Sequence, residues 1–454
     1  MSIENSSDKP SPTAKLEVDL LISAKWLATV DSDNTLLKDH TVVVNQGIIV
    51  DISPTISVAE KFIAKNAVEL PNQLLIPGLI NAHGHAGMAL FRGYADDLPL
   101  MTWLNDHMWP AESAHVSHEF VHDGSQLAIA EMIKSGTTCF ADMYFFPKAT
   151  IEAAKKAGMR AYIAPPVFDF PSNWKNGSQA YIDAITELAL EQQNPGSNEL
   201  ITIAFGPHAP YTVGDNTFEA ILTANQNLQL GVHIHVHETE AEVEQSIKQH
   251  GLRPLQRLKN LGVLSPKTQC VHMTQICGED IEILKETGAS VIHCPRSNMK
   301  LASGQTPIQL MRENGIPTGL GTDSAASNNS LNMISEMTQA ALLAKVTANN
   351  AEALSAEQAL QLATIDSAKA LGLDHKIGSI EIGKQADITA VDLSKIAQQP
   401  VYSPLSSLVY SESSQSVSNV WINGKQLLEN GCLTTIDESA VLSKTQQWRE
   451  KLEH

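Results

Sequence analysis

The stretch Pro77-Gly78-Leu79-Ile80-Asn81-Ala82-His83-Gly84-His85 ends an apolar run with two histidines that one small residue separates. On an extended strand, residues i and i+2 point to the same face, so the imidazoles of His83 and His85 converge on one point. Such a pair is typical of two neighbouring ligands of a divalent metal, and Gly84 has no side chain that would obstruct the ion. For an isolated pair, two surface histidines in a polar turn are the alternative, so the rest of the chain decides.

The composition limits the class of protein. The chain has 454 residues, 43% of them hydrophobic, which is enough for one large domain and a smaller one. A formal net charge of −19 at pH 7 disfavours nucleic acid and anionic membranes as partners, because both are bound by clustered Lys and Arg. The sequence has no apolar run of about 18 residues, and no basic N-terminal segment precedes an apolar one. We therefore expect a cytoplasmic protein without a membrane segment.

The five cysteines show no CxxC spacing and are odd in number. This pattern predicts neither a disulfide framework nor a cysteine-type zinc site. We expect these thiols to be reduced.

Apolar runs alternate with helix-length segments through the middle of the chain. The runs are Leu74 to Ala82, Thr137 to Met143, Ala161 to Phe168, Ile201 to Gly206, Leu230 to His237, Thr268 to Met273, Ser290 to His293 and Pro317 to Gly321. Eight such runs are typical of parallel strands covered on both faces, and they predict an α/β fold, a (β/α)8 TIM-type barrel over residues 74–375. An open doubly wound sheet is the alternative, but no GxGxxG follows a strand and no P-loop is present.

The two ends of the chain carry another pattern. Residues 1–18, rich in Ser, Pro and charge, predict a disordered lead-in. Short β-type runs with turns such as Asn45-Gln46-Gly47 follow, and similar runs return at 380–391 and 420–425. We therefore expect residues 19–73 and 376–454 to form one small β-sandwich domain together.

Polar residues fall at the carboxyl ends of the predicted strands, where a barrel places its chemistry. Three or four nitrogen and oxygen ligands, with one position left for water, suit zinc or ferrous iron. The fifth strand offers three histidines on one face by the period-2 rule, so spacing leaves the third histidine ligand open. We expect a single metal, because no lysine near the end of the fourth run is available to bridge a second one. The predicted metal ligands are His83, His85, one of His233, His235 and His237, and Asp323.

The remaining residues at these strand ends suit hydrolytic attack on a ring carbon, which requires protons for the ring nitrogen and for the leaving group. Glu238, three residues beyond His235, is placed to carry protons, whereas His272 and Asp323 are placed to orient and deprotonate the water. The alternative for Glu238 is an exposed position in the first turn of a helix, within Glu238-Thr239-Glu240-Ala241-Glu242.

Several longer motifs accompany these residues. They are Leu90-Phe91-Arg92-Gly93-Tyr94-Ala95-Asp96-Asp97, Trp103-Leu104, Trp109-Pro110-Ala111-Glu112, Gly206-Pro207-His208-Ala209-Pro210-Tyr211, Ser297-Asn298-Met299-Lys300-Leu301 and Gly321-Thr322-Asp323-Ser324-Ala325-Ala326-Ser327-Asn328-Asn329. From Asp19 to about Cys432 the chain resembles the amidohydrolase superfamily, and within it the 5-methylthioadenosine/S-adenosylhomocysteine deaminases and related chlorohydrolase-like enzymes. The resemblance implies a metal-binding barrel with a β-sandwich formed from both ends. It also implies residue roles: His235 as the third histidine ligand, Glu238 as the residue that protonates a purine ring, Glu112 and His208 as substrate-binding residues, and Trp103 as part of the pocket lining.

One departure from the family bears on the substrate. Similar enzymes that accept S-adenosylhomocysteine carry arginines around the third βα loop, and these hold the amino acid carboxylate. This chain has no arginine between Arg160 and Arg253, and the aromatic residues there suit a small apolar tail: Phe168, Phe170 and Trp174. We therefore expect conversion of 5'-methylthioadenosine into 5'-methylthioinosine and ammonia, with adenosine or S-adenosylhomocysteine as weaker substrates.

Other functions fit parts of the same sequence. A deaminase or chlorohydrolase with this metal site would act on guanine, another aminated heterocycle or a triazine. Glu112 distinguishes these, because a carboxylate accepts hydrogen bonds from both hydroxyls of a ribose and a free base has none to offer. A non-catalytic scaffold would lack some of the predicted ligands, all of which are present. We expect zinc as the metal, with iron, manganese or nickel as alternatives, a purine nucleoside as the small-molecule partner, and a homodimer or tetramer as in similar enzymes.

Overall fold

The computed structural model describes residues 15–194 and 196–453. Its strands are β1 (Leu16–Ala28), β2 (Leu36–Asn45), β3 (Ile48–Pro54), β4 (Phe62–Pro77), β5 (Leu79–Asn81), β6 (Thr137–Asp142), β7 (Arg160–Ile163), β8 (Pro166–Val167), β9 (Ile201–Pro207), β10 (Gly231–Val236), β11 (Thr268–His272), β12 (Ser290–His293), β13 (Thr318–Leu320), β14 (Ile388–Asp392), β15 (Val417–Ile422), β16 (Lys425–Glu429) and β17 (Cys432–Leu433). Residues 1–14 of the predicted lead-in lie outside the described residues. Strand β1 begins at Leu16, three residues before the predicted start of the β region.

The helices connect and cover these strands. They are α1 (Thr55–Lys61), α2 (Leu100–Thr102), α3 (Trp109–His115), α4 (His118–Lys134), α5 (Pro147–Ala157), α6 (Ser178–Gln193), α7 (Asp215–Leu228), α8 (Glu240–His250), α9 (Pro254–Asn260), α10 (Gly278–Thr287), α11 (Pro295–Lys300), α12 (Ile308–Glu313), α13 (Ala325–Asn328), α14 (Met333–Thr347), α15 (Ala356–Gln361), α16 (Ser367–Ala370), α17 (Pro404–Tyr410) and α18 (Glu438–Leu452). Short 3-10 helices span Ala86–Phe91 and Ile396–Gln398, and π-helical turns span Trp103–Met108 and Leu362–Asp366. Within the described residues, none of these helices combines the length and apolar character that crossing a membrane requires.

The middle of the chain forms the predicted barrel. Its strands lie in the order β5-β6-β7-β9-β10-β11-β12-β13 and pair in parallel, with β8 as a short addition to β9. The amide of Ala82 donates to the carbonyl of Leu320 at 2.8 Å, which joins the first strand to the last. The prediction of a (β/α)8 barrel is therefore confirmed, and all eight apolar runs contain a strand of it.

The apolar runs are continuous because both faces of each barrel strand are buried. Ile80, Cys139 and Val271 belong to the cluster that fills the barrel interior, whereas Phe140 and Ile163 belong to the cluster that the surrounding helices cover. A half-buried strand would alternate apolar and polar residues instead. Burial on both faces leaves the strand ends as the place where polar side chains can gather.

Both ends of the chain contribute to a second sheet, in the order β17-β16-β15-β14-β4-β1-β2-β3. Its pairs are antiparallel except for β1 and β4, which run parallel. The predicted β domain formed from both termini is confirmed. The turns between the first β-type runs make antiparallel pairs, and the long connection between β1 and β4 allows the one parallel pair. The C-terminal helix α18 packs against α4 of the barrel, and the indole of Trp448 donates to Asp123 Oδ2 at 3.0 Å.

The predicted first barrel strand is divided at Gly78. Residues up to Pro77 belong to β4 of the second sheet, and only Leu79–Asn81 enter the barrel. A Cβ atom at Gly78 would lie 2.0 Å from Thr138 Oγ1, so the chain can pass between the two sheets there only without a side chain. The Gly78 amide donates to the carbonyl of Asp387 at 2.9 Å, which fixes the crossing point.

Candidate active site

Four of the predicted ligands converge at the carboxyl end of the barrel. The Nε2 atoms of His83 and His85 lie 3.4 and 3.2 Å from Asp323 Oδ1, and Nε2 of His235 lies 3.3 Å from that of His83. Tetrahedral zinc with bonds of about 2.0–2.1 Å places its ligand atoms roughly 3.3–3.4 Å apart. These three contacts have the donor chemistry and the spacing that such a cation requires. Among the described residues, ligand atoms that all lie within 4.8 Å of one another belong to His83, His85 and Asp323, and to His83, His235 and His272.

Hydrogen bonds on the far side of each imidazole hold this arrangement. His85 Nδ1 lies 2.6 Å from the carbonyl oxygen of Met143, and His235 Nδ1 lies 2.7 Å from that of His208. A carbonyl oxygen only accepts, so each Nδ1 carries the proton and each Nε2 keeps its lone pair for a metal. These contacts fix both the ring orientation and the tautomer.

The three candidate histidines in and after β10 have different surroundings. His235 faces the cluster, whereas His233 lies behind His83, with its Nε2 atom 2.8 Å from His83 Nδ1. His237 has a left-handed backbone with φ of 53°, and its Nε2 accepts the amide of Leu255 at 3.1 Å. The expectation that all three share one face is thus wrong for His237, because the strand has ended before it.

Asp323 and His272 complete the polar floor of the site. Asp323 Oδ2 accepts hydrogen bonds from Ser297 Oγ at 2.6 Å and Ser327 Oγ at 2.9 Å, which leaves Oδ1 for the histidine cluster. His272 Nδ1 donates to Asn298 Oδ1 at 2.8 Å, and a nitrogen of His272 lies within 4.8 Å of those of His83 and His235. Both Asp323 and His272 have left-handed backbones, with φ of 62° and 75°. Non-glycine residues in this conformation cluster at functional sites.

Glu238 lies beside the histidine cluster. Its Oε2 atom is 3.8 Å from His272 Nε2, and the side chain is only 9% exposed. Helix α8 begins two residues later, at Glu240, so Glu238 precedes its first turn. The alternative of an exposed position in the first helical turn is therefore wrong. Burial raises the pKa of Glu238, which favours a carboxyl group that holds a proton.

These polar groups form one end of a cavity at the carboxyl end of the barrel. The segment from α2 through the π-helical turn to α3 lies along one wall and contributes Trp103, which is 5% exposed. The other predicted cavity residues Glu112 and His208 also line it. His208 stacks at 4.7 Å on Phe168, and burial lowers the pKa of His208 to about 3, so its imidazole is neutral.

The aromatic residues expected at the substrate tail divide into two groups. Phe168 and Phe170 line the cavity, and Phe170 is 43% exposed near its opening. Trp174 lies away from it and packs against Tyr181, with ring centroids 5.6 Å apart. No arginine belongs to the cavity lining within the described residues.

Sequence reasoning missed Tyr144, the second residue after β6. Its hydroxyl donates to Glu112 Oε1 at 2.7 Å across the cavity wall. Burial raises the pKa of Glu112 to about 7, and the Tyr144 hydrogen bond opposes that rise. A tyrosine at the carboxyl end of a predicted barrel strand was the signal that could have found it.

The sequence of the chain is similar to those of known proteins. The chain matches the amidohydrolase family over residues 74–427. A protein of Teredinibacter turnerae named 5-methylthioadenosine/S-adenosylhomocysteine deaminase is 48% identical over 435 residues, 96% of this chain and 98% of that protein. A 5'-deoxyadenosine deaminase of Methanobrevibacter smithii is 37% identical over 434 residues, 93% of this chain and 99% of that one.

A solved structure of a deaminase is also similar to this chain. The crystal structure of an adenosine deaminase from Xanthomonas campestris with bound zinc superposes with a TM-score of 0.95 at 43% identity, over 97% of this chain and 100% of that one. The predicted resemblance is confirmed along nearly the whole length. The chain therefore belongs to the amidohydrolase family, which is metal-dependent.

Proposed function

We propose that this chain is a hydrolytic deaminase that converts 5'-methylthioadenosine into 5'-methylthioinosine and ammonia. The observation that carries the proposal is the presence of two groups in one cavity: Glu238 beside the histidine cluster, and Glu112 hydrogen-bonded to Tyr144 in the cavity lining. The first suits chemistry on an aminated ring, and the second suits a ribose diol. The names of the Teredinibacter and Methanobrevibacter relatives support an adenine nucleoside as the substrate.

The proposed metal is one zinc ion per subunit, held by His83, His85, His235 and Asp323. The spacing of these donor atoms supports a cation of that size, and the zinc in the Xanthomonas structure supports its identity. Iron, manganese and nickel accept the same imidazole and carboxylate donors. A divalent cation bound here lowers the pKa of a water molecule towards neutrality and so makes it a nucleophile at physiological pH.

The residues around the histidine cluster then carry out the proton transfers. Asp323 and His272 orient the attacking water and Asp323 accepts its proton, while Glu238 donates a proton to the ring nitrogen next to C6. A bond from the water oxygen to C6 forms as C6 becomes tetrahedral. Asp323 then passes this proton to the exocyclic amine. As ammonia leaves with the electrons of the C6–N bond, the C6 carbonyl forms and the remaining hydroxyl proton returns to Glu238. The raised pKa of Glu238 supports its role as the proton donor.

The cavity wall supports a small apolar tail on the ribose. Phe168 and Phe170 offer apolar surface and no positive charge to an amino acid carboxylate. We expect adenosine and S-adenosylhomocysteine to be weaker substrates than 5'-methylthioadenosine. Guanine, other aminated heterocycles and triazines are the alternative substrate class. They have no ribose hydroxyls that Glu112 could bind.

We also propose an organisation for the whole chain. Residues 79–375 form the catalytic barrel, and residues 16–77 with 376–454 form the second domain. The predicted boundary at residue 74 thus moves to Gly78, because β4 runs to Pro77 in the second sheet. The subunit assembles into a homodimer or tetramer. The sheet shared by both ends of the chain supports this division.

Ammonia release tests the proposed function directly. Zinc-loaded protein is assayed with 5'-methylthioadenosine, adenosine, S-adenosylhomocysteine and guanine, beside Glu238→Gln and a matched control, Glu240→Gln, in the exposed first turn of α8. We expect methylthioadenosine to be turned over fastest, with a loss of about 10²–10⁴-fold in Glu238→Gln and little change in the control. Turnover of guanine alone would reject the nucleoside and favour the alternative class. Equal rates in Glu238→Gln and wild type would remove the proposed proton donor.

A further inference from the structure

The backbone next to Glu238 presents two consecutive amide groups to one acceptor. His237 has the left-handed φ of 53°, which turns its own N–H and that of Glu238 to the same side. The carboxylate of Glu242 accepts both: Oε1 lies 3.0 Å from the His237 nitrogen, and Oε2 lies 2.8 Å from the Glu238 nitrogen. Each oxygen of Glu242 therefore holds one amide of the turn that carries Glu238.

Other contacts fix Glu242 itself and the opposite side of the turn. Glu242 is 6% exposed, and its amide lies 3.3 Å from Thr239 Oγ1, the residue that caps α8. Thr274 Oγ1 donates to the carbonyl of Glu238 at 2.8 Å, and the amides of Thr274 and Gln275 donate to that of His237 at 3.0 and 3.2 Å. The carbonyls of the turn are thus held by residues that follow β11, while both of its amides depend on one side chain, that of Glu242.

We propose that Glu242 is a positioning residue for the deamination, which keeps the Glu238 carboxyl aimed at the substrate ring. This inference rests on the proposed role of Glu238 as the proton donor. The sparsely populated conformation at His237 persists only where its surroundings hold it. With Glu242 replaced by a group that accepts one amide instead of two, the turn relaxes and the Glu238 side chain loses its fixed direction.

The test compares Glu242→Gln with Glu244→Gln, an exposed acidic residue of the same helix. The glutamine keeps the size of the side chain, but its single carbonyl oxygen accepts only one amide well and its NH2 group opposes the other. We expect kcat to fall at least tenfold in Glu242→Gln, with KM within threefold and the bound metal unchanged, and no change in Glu244→Gln. An unchanged kcat in Glu242→Gln would overturn the proposal.

A double-mutant cycle separates positioning from a general structural role. If Glu242 acts through Glu238, adding Glu242→Gln to Glu238→Gln causes no further loss of activity. A further loss of the same size in the double variant would show a merely structural effect and overturn the proposal. Should Glu242→Gln lose its metal or its fold, Glu242→Asp takes its place with the same expectations, because it keeps the carboxyl group but is one methylene too short to reach both amides.

Hydrogen exchange gives a readout that does not depend on activity. The amides of His237 and Glu238 should exchange at least tenfold faster in Glu242→Gln than in wild type and Glu244→Gln. Unchanged exchange would reject the contact. If the wild type turns over only guanine or a triazine, the proposed nucleoside fails, and the same cycle is run on that substrate. If it turns over none of them, the exchange rates alone decide the positioning contact.

Discussion

Replacing Tyr144 by phenylalanine tests how the cavity controls Glu112. The Tyr144 hydroxyl donates to Glu112 Oε1 at 2.7 Å, and burial already raises the pKa of that carboxyl to about 7. A hydrogen bond to a charged group contributes about 1.5–3 kcal/mol, which corresponds to roughly one to two pKa units. Because this hydrogen bond stabilises the ionised form, its loss raises the pKa of Glu112 further.

The direction of the effect on KM follows from the need for an ionised Glu112 carboxylate. Ribose binding requires ionised Glu112, so KM is lowest above the pKa of Glu112 and rises as the pH falls through it. At pH 7 the ionised fraction falls from about one half to roughly 1–10% when the pKa rises by one to two units. We expect KM for 5'-methylthioadenosine to rise roughly five- to fiftyfold at pH 7 and less than about threefold at pH 9.

Initial rates of ammonia release between pH 6 and pH 9 give KM and kcat for both proteins. Tyr162→Phe is the control, because it removes a hydroxyl that donates to Gln269 at 3.1 Å inside the barrel, away from the cavity. We expect kcat to change less than about threefold in both variants at every pH. A KM that is unchanged, or that rises equally at all pH values, would refute the link between Tyr144 and the ionisation of Glu112.

Three further predictions concern the domain contact, the substrate tail and the metal. Asp387→Asn should lower the free energy of unfolding in urea by about 3–5 kcal/mol, because it removes the charge partner of the buried Arg160 guanidinium, whose Nε lies 2.9 Å from Asp387 Oδ2. Phe170→Arg should raise kcat/KM for S-adenosylhomocysteine at least fivefold relative to 5'-methylthioadenosine, by placing a guanidinium at the cavity opening; an unchanged ratio would locate the tail elsewhere. Chelation should abolish ammonia release and lower the melting temperature, and added zinc should restore both, since a cation that binds only the folded state stabilises it.

The barrel and its histidine cluster were predictable because both depend on local patterns. Strands buried on both faces give continuous apolar runs, and the parallel barrel then places His83, His85 and Asp323 at one end whatever the helices between them contain. The His-x-His motif identified the pair correctly, although β5 ends at Asn81 and both histidines follow it, so the loop after the strand brings their rings together. Local patterns of this kind can be recognised without knowing which distant residues are in contact.

The rest depends on contacts between distant segments or on where a strand stops. The period-2 rule failed at His237 because β10 ends at Val236 and the next residue adopts a left-handed conformation. The Tyr144–Glu112 hydrogen bond joins two different βα loops, and no spacing rule connects them. The division at Gly78 is set by Thr138 on the neighbouring strand, so the run from Leu74 to Ala82 shows no sign of it.

The order in which a ribosome makes the chain has a consequence for the second sheet. Strand β4 is completed early, but one of its neighbours, β14, pairs Ala390 with Leu75 and is synthesised about 300 residues later. Throughout translation of the barrel, one edge of β4 has no partner, and an unpaired strand edge is a template for aggregation. The nascent chain therefore exposes this edge to other chains until the residues after Ile388 leave the exit tunnel.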